Sequence, residues 1–388
     1  MNEIDFRQHN EEVRLVWESF KARRPTRVPI YFGINSRFLL LDPALNPRGI
    51  TYEECWRDPQ LMFDVQLHFQ DWLRHNIVQD AEMGVPADGW VVSLDFQNCY
   101  EAGWLGCPVE FRSGQVPDTR PILTDEKKRL LLDGGIPDPF EGGLMKQIWV
   151  FHGFFKEKAE GLEFKGAEVR AGNPPGMGTD GPFTVAANLR GTTELCLDLR
   201  LDPDYAHELL DFVTEATITR IKAFRRRLGG PELTEGWHFA DDAIQAISTE
   251  DYRVFVLPRH KRLLAALSTP GEYGIHLCGD ATRHFPMIRR ELGVTVFDTG
   301  FPIDFGGVRR ELGQDVQIHG GPDVAFLLSA TPVQVRERVK EILSSGVMEG
   351  GRFCLREGNN LAPMTPLENV RAVYDAGREF GQQQVAVV

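Results

Sequence analysis

The apolar residues of this chain repeat at helical spacing, then at strand spacing, and switch between the two many times. Within residues 1–26, Val13, Leu15, Val16 and Phe20 make one stripe of a helix that Pro25 ends. Residues 27–33 then read as a short buried strand. Residues 51–84 read as helical, with Leu61, Phe63, Val65, Leu67, Phe69 and Leu73 as the apolar content, and 89–96 as a second strand. From 103 to 182 glycine and proline interrupt the rhythm. Apart from a helical piece at 143–158, this stretch reads as an insertion near the mouth of the fold, and Gly172, Gly176, Gly178 and Gly181 suit a mobile lid.

From Gly181 the alternation becomes regular. Phe183–Ala187 reads as a strand of small residues. Asp202 and Pro203 open a helix whose core face is Tyr205, Leu209, Phe212, Val213, Ala216 and Phe224. Strands are expected at 273–279, 294–299, 315–320 and 350–356, with a weaker one at 236–242, each separated by helical sequence. Alternation of this kind implies a parallel sheet, and eight units imply closure into a single (β/α)8 barrel spanning 1–388, with an N-terminal helical extension.

Composition fits this picture and narrows the chemistry. Apolar residues make up 42% and charged residues 26% of 388, enough for one large core. The net charge of −13 argues against nucleic acid and against an anionic membrane surface. The N-terminus has no basic and apolar signal segment, and there is no run of about 18 apolar residues. The six cysteines (Cys55, Cys99, Cys107, Cys196, Cys278, Cys354) have no disulfide-scaffold spacing, so a cytoplasmic protein with reduced thiols is expected.

Barrels of this type collect their chemistry at the C-terminal strand ends. In 273–280, alternation puts His276, Cys278 and Asp280 on one face and Ile275 and Leu277 on the other. The apolar pair must meet the outer helices, which turns the other three toward the lumen. Asp298, His319 and Cys354 recur on the following strands, Asp241 and Asp242 end the preceding one, and Glu357 leads out of the last toward Asn359. One such residue is usually a structural hydrogen-bonder. Five consecutive strand ends are harder to ascribe to packing, because an unpaired buried charge costs several kcal/mol.

The Gly181–Thr184 segment, the His276-Leu277-Cys278-Gly279 segment and Thr365–Val370 together resemble the uroporphyrinogen decarboxylase superfamily, and within it the corrinoid-dependent methyltransferase branch. The resemblance is good over 181–388 and traceable over 27–105. It implies that His276 and Cys278 are zinc ligands that activate a substrate thiol. The methyl group would come from a corrinoid (cobalamin) carried by a partner protein or free in solution. Relatives of this branch have a third ligand, a Cys, where Asn359 stands, and the decarboxylases have a His there. Cys354 is then a candidate third ligand, with Asp280 and Glu357 as oxygen alternatives. Asp280 and His319 would orient groups or exchange protons, and Asp242, Asp298, Glu357 and Asn359 would contact substrate.

The decarboxylases resemble one another in paired Arg residues after the first strand and an Asp after the second. Here Arg37 matches the second Arg, Gly33 stands in place of the first, and Asp95 lies near the Asp. The expectation is therefore a methyltransferase working on a small thiol or folate, as a possible homodimer. A lyase acting on another carboxylated substrate, with His319 or Asp95 as acid, and a non-catalytic tetrapyrrole- or corrinoid-binding protein are the alternatives.

Overall fold

The computed structural model describes residues 4–383, so the first three and last five residues of the expected 1–388 domain lie outside it. Helix α1 (Phe6–Lys21) starts where Asp5 accepts from Arg7 N and Gln8 N. It buries His9, Val13, Val16 and Phe20. Leu15, expected on that stripe, is 51% exposed; His9 takes the inner position instead, bonded to Gln79 O.

Eight extended segments then alternate with helices. Residues 27–33 come first. The helix expected over 51–84 is broken into α2 (Tyr52–Arg57) and α3 (Pro59–Asn76), because Asp58 leaves helical geometry and caps α3, with Pro59 at its first position. Strand β1 (Trp90–Val92) leads to α4 (Gly143–Ala159) and β2 (Ala167–Ala171). The 103–182 stretch therefore carries a helix–strand unit, and β2 pairs in parallel with β1.

Residues 183–187, expected as a strand, lie in helix α5 (Pro182–Arg190). Pro182 at its first turn and the Asp241 carboxylate, which accepts from Phe183 N and Thr184 N, fix that outcome. Helix α6 (Pro203–Arg227) follows. The order is then β3 (Thr234–Ala240), α7 (Leu257–Leu267), β4 (Ser268–Leu277), α8 (Phe285–Leu292), β5 (Val294–Thr299), α9 (Phe305–Leu312), β6 (Gln317–Gly320), α10 (Pro332–Ile342), β7 (Phe353–Leu355) and α11 (Leu367–Phe380).

The segments form a (β/α)8 barrel with two hydrogen-bonded arcs. The long arc runs β3-β4-β5-β6-β7, all parallel. It continues onto 27–33, where Ile30 pairs with Leu355 and Gly33 with Asn360. The short arc is β1 with β2. No strand pairing joins the two arcs among the described residues; beside them, flanking loops bond to the long arc, Asp80 N to Ile30 O at 2.6 Å and Ala240 N to Thr179 O at 3.2 Å. Apolar strand residues such as Ile275, Leu277, Phe297, Ile318 and Phe353 are buried in the core. Among the described residues no helix is long and apolar enough to cross a membrane.

Candidate active site at the barrel mouth

Strand register sets the site. Along the long arc, Ala240 is the partner of His276, His276 of Asp298, Asp298 of His319, and His319 of Cys354. One row of backbone partners thus places the polar residues of four consecutive strands side by side.

At one end of the row, His276 Nδ1 meets Asp298 Oδ2 at 2.7 Å and His276 Nε2 meets Cys278 Sγ at 3.1 Å. Cys278 N donates to Asp242 Oδ1 at 2.7 Å. One ligand atom each from Asp242, His276 and Cys278 lies within 4.8 Å of the others. This N, S, O donor set suits a zinc ion, and a carboxylate on the second histidine nitrogen is the usual outer partner of such a ligand. Burial disfavours the imidazolium, but the Asp298 carboxylate and the Cys278 sulfur outweigh it and hold His276 at about 11. Asp298 stays below its ordinary value despite its burial, because His276 and Arg356 face it. Burial raises the Cys278 thiol, and the His276 contact opposes that shift.

The other end is built around Arg356. Its Nη1 donates to Asp298 Oδ2 at 2.9 Å, and its Nη2 donates to Glu357 Oε1 at 2.8 Å and Asn359 O at 3.3 Å. Glu357 Oε1 also accepts from Gly33 N at 2.9 Å. A Cβ at position 33 would lie 2.4 Å from Arg356 Nη2 and 2.7 Å from Glu357 Oε1, so glycine makes the room this pair occupies. Burial pushes the Glu357 carboxyl up to about 7, with the Arg356 charge working against it. His319 contacts the Tyr31 hydroxyl through Nδ1 and the Gln317 amide through Nε2. Burial depresses His319 to about 4.

A buried frame carries these groups. Asp241, next to Asp242, accepts from His260 Nε2 at 2.8 Å as well as from the start of α5, and Tyr252 holds the other His260 nitrogen. Adjacent aspartates thus divide the work, one in the frame and one at the opening. Glu101 pairs with the fully buried Arg220, which also donates to the carbonyls of Gly176 and Gly178 and so pins the glycine-rich loop. Glu101 further accepts from Asp180 N at 2.7 Å. Burial, with the charges of Glu101 and Asp242, drives the Asp180 carboxyl well above the usual range.

The structure brings together His276, Cys278, Asp298, Asp242, His319 and Glu357. Asp280 stands apart: it is exposed and accepts from Thr282 N and Oγ1 at 3.1 and 2.6 Å. Strand alternation ends at Leu277, so it no longer governs where Asp280 points. Cys354 is fully buried beside His319 and lies outside the Asp242–His276–Cys278 group; burial raises its thiol. Asn359 offers its carbonyl to Arg356.

The Asp95 carboxylate is occupied by Ser36 Oγ, by Gln66 Nε2 and by Gln97 through its backbone N and side-chain Nε2. Arg37 opens a four-residue helix and bonds Asn35 Oδ1 through Nε at 2.9 Å. Sequence reasoning gave no role to Tyr31, Asp180 or Arg356. For Arg356 a signal existed, since it shares a face with Cys354 at the next-but-one position of a buried strand end.

The profile of the family described as uroporphyrinogen decarboxylase matches residues 14–380. A methylated-thiol–coenzyme M methyltransferase of Methanosarcina mazei is 33% identical over 205 residues, 51% of this chain and 51% of that protein. A uroporphyrinogen decarboxylase of Anaeromyxobacter sp. is 29% identical over 206 residues, 52% of this chain and 57% of the relative. The chain thus spans about half the length of these curated relatives. Among solved structures, a methyltransferase from Methanosarcina mazei aligns over 95% of this chain and 98% of its own, with a TM-score of 0.63 at 20% identity, a likeness of fold.

Proposed function

Since the chain belongs to the uroporphyrinogen decarboxylase family, we propose that it is a methyltransferase that moves a methyl group between a corrinoid carrier and a small thiol. The observation that carries this reading is the Asp242–His276–Cys278 group with Asp298 seated on the outer nitrogen of His276. The similarity of half the chain to a thiol methyltransferase supports it. Asp242, His276 and Cys278 would hold a zinc ion, with Asp242 in place of the third-ligand Cys that the resemblance implies. Zinc supplies Lewis acidity that keeps a bound thiol deprotonated near neutral pH.

The chain's own residues do the rest. Asp298 fixes the ring plane and tautomer of His276 so that Nε2 faces Cys278. Arg356 holds Asp298 ionised and in place. The Asp241–His260–Tyr252 set anchors the loop that presents Asp242. A decarboxylase would need the Asp95 carboxylate for its substrate, and here Ser36, Gln66 and Gln97 engage it.

Metal analysis of the untagged protein, with methylcobalamin demethylation by thiols followed spectroscopically, tests the proposal. The expected result is about one zinc per chain, lost together with thiol-dependent demethylation in His276→Ala. Metal-free protein that leaves methylcobalamin untouched sinks it.

A further inference from the structure

Two loops at the mouth carry Asp242 and Cys278. One follows β3 and forms the single turn Asp242–Ala246. The other follows β4 and runs from Cys278 into the turn Thr282–His284. A single turn leaves its last carbonyls without donors of its own, and those groups must be answered from elsewhere.

Here the donors come from the loop that carries Cys278. Arg283 donates through Nε and Nη2 to Ile247 O at 3.1 and 2.9 Å, and Nη2 also meets Gln245 O. Its Nη1 reaches back to Asp280 O at 3.0 Å, so one guanidinium grips both loops. The next residue, His284, meets Ile244 O through Nε2 at 3.0 Å. A carbonyl only accepts, so this nitrogen carries the ring proton. Burial depresses His284 to about 4 and keeps the ring neutral. The fully buried ring stacks on Tyr252, with 4.9 Å between ring centres, and the Tyr252 hydroxyl holds His260 behind Asp241.

Cys278 has little room to adjust on its other side. A Cβ at Gly300, where β5 ends, would lie 1.7 Å from Cys278 O. The facing turn is held at its start by Asp241 and at its end by Arg283 and His284. Between these anchors Asp242 Oδ1 accepts from Cys278 N at 2.7 Å. A ligand set works only when its atoms are held within about 0.5 Å of the productive geometry.

We propose that Arg283 and His284 are positioning residues that set, as one clasp, how closely Asp242 approaches Cys278. They act through the backbone carbonyls of the turn rather than through the ligand atoms. The inference rests on the ligand roles proposed above.

Arg283→Met keeps much of the stem and removes every donor. Its zinc affinity in chelator competition should fall about 10- to 100-fold. In metal-free protein, the peptides covering 241–247 and 277–281 should exchange amide hydrogens about tenfold faster. Arg253→Met, which removes an exposed guanidinium paired with Glu250, should change neither. Arg283→Lys keeps the charge without the planar fork and should recover only part of the loss. Full recovery would assign the effect to charge and overturn the clasp. His284→Phe keeps a ring on Tyr252 without the donor to Ile244 O and should act in the same direction as Arg283→Met.

Zinc held as tightly by Arg283→Met as by the parent chain overturns the inference and leaves methyl transfer standing. A parent chain that holds no zinc sinks the methyl-transfer reading instead, and exchange then decides the clasp. Unchanged exchange in both peptides overturns it, and faster exchange there, with 317–320 unaffected, upholds it.

Discussion

His276 and His319 flank Asp298 in one row of strand partners, yet they are driven in opposite directions, one to about 11 and the other to about 4. Burial opposes the charged ring in both. His276 has a carboxylate oxygen 2.7 Å from Nδ1. His319 has a phenol on one nitrogen and an amide on the other, both neutral, with Arg356 close by. The row supplies position, and the immediate partner decides protonation. One histidine is thereby held as a charged partner of Asp298, from which a metal would displace the Nε2 proton, and the other stays neutral in the barrel wall.

The largest expected effect comes from removing the guanidinium that Asp298 and Glu357 share. Arg356→Met leaves Glu357 buried without its cation and Asp298 with His276 alone, and should cost about 3 kcal/mol in urea denaturation. A loss below about 1 kcal/mol would show that Arg356 does not organise the row.

Asp298→Asn should come next. It strips His276 of its charge partner and should weaken binding of the proposed zinc by about 10- to 100-fold in chelator competition, while the Tyr31–His319 contact persists. Unchanged affinity would mean that the two histidines differ for some other reason.

The third effect is confined to acid. His319 lies below its ordinary 6.5, so the unfolded chain binds the extra proton. Its contribution is present above pH 6.5 and lost as pH falls toward about 4. The slope is at most about 1.4 kcal/mol per pH unit. His319→Gln should flatten the stability curve in that window and leave it unchanged above it. A curve identical to that of the parent chain would place the acid-sensitive group elsewhere.

Much of this arrangement is legible in the sequence because a strand's period of two is rigid. His276, Asp298, His319 and Cys354 could be assigned to one face from alternation alone, and the register shows them as consecutive partners. The method fails where the strand stops, as at Asp280. It also fails where a distant group decides local structure. Residues 183–187 have a composition suited to either element, and the Asp241 carboxylate, 58 positions from Phe183, tips them into a helix. Strand β2 escaped notice because it is five residues long within a polar stretch, with Val169 its one fully buried side chain. Asp242 was legible as a pocket residue, but only the fold places its oxygen within reach of His276 and Cys278.

The closure of the long arc onto residues 27–33 also governs the order in which the molecule comes into being. Glu357 and Gly33 are 324 positions apart in the chain. Contacts that distant are among the slowest to form, because the intervening polypeptide must surrender its freedom before they reward it. The pocket around Gly33 that seats Arg356 and Glu357 therefore does not exist in a nascent chain that has made only β3 to β6. Competence at the mouth is therefore expected late in folding, with His276 and Cys278 in place before the guanidinium that steadies Asp298.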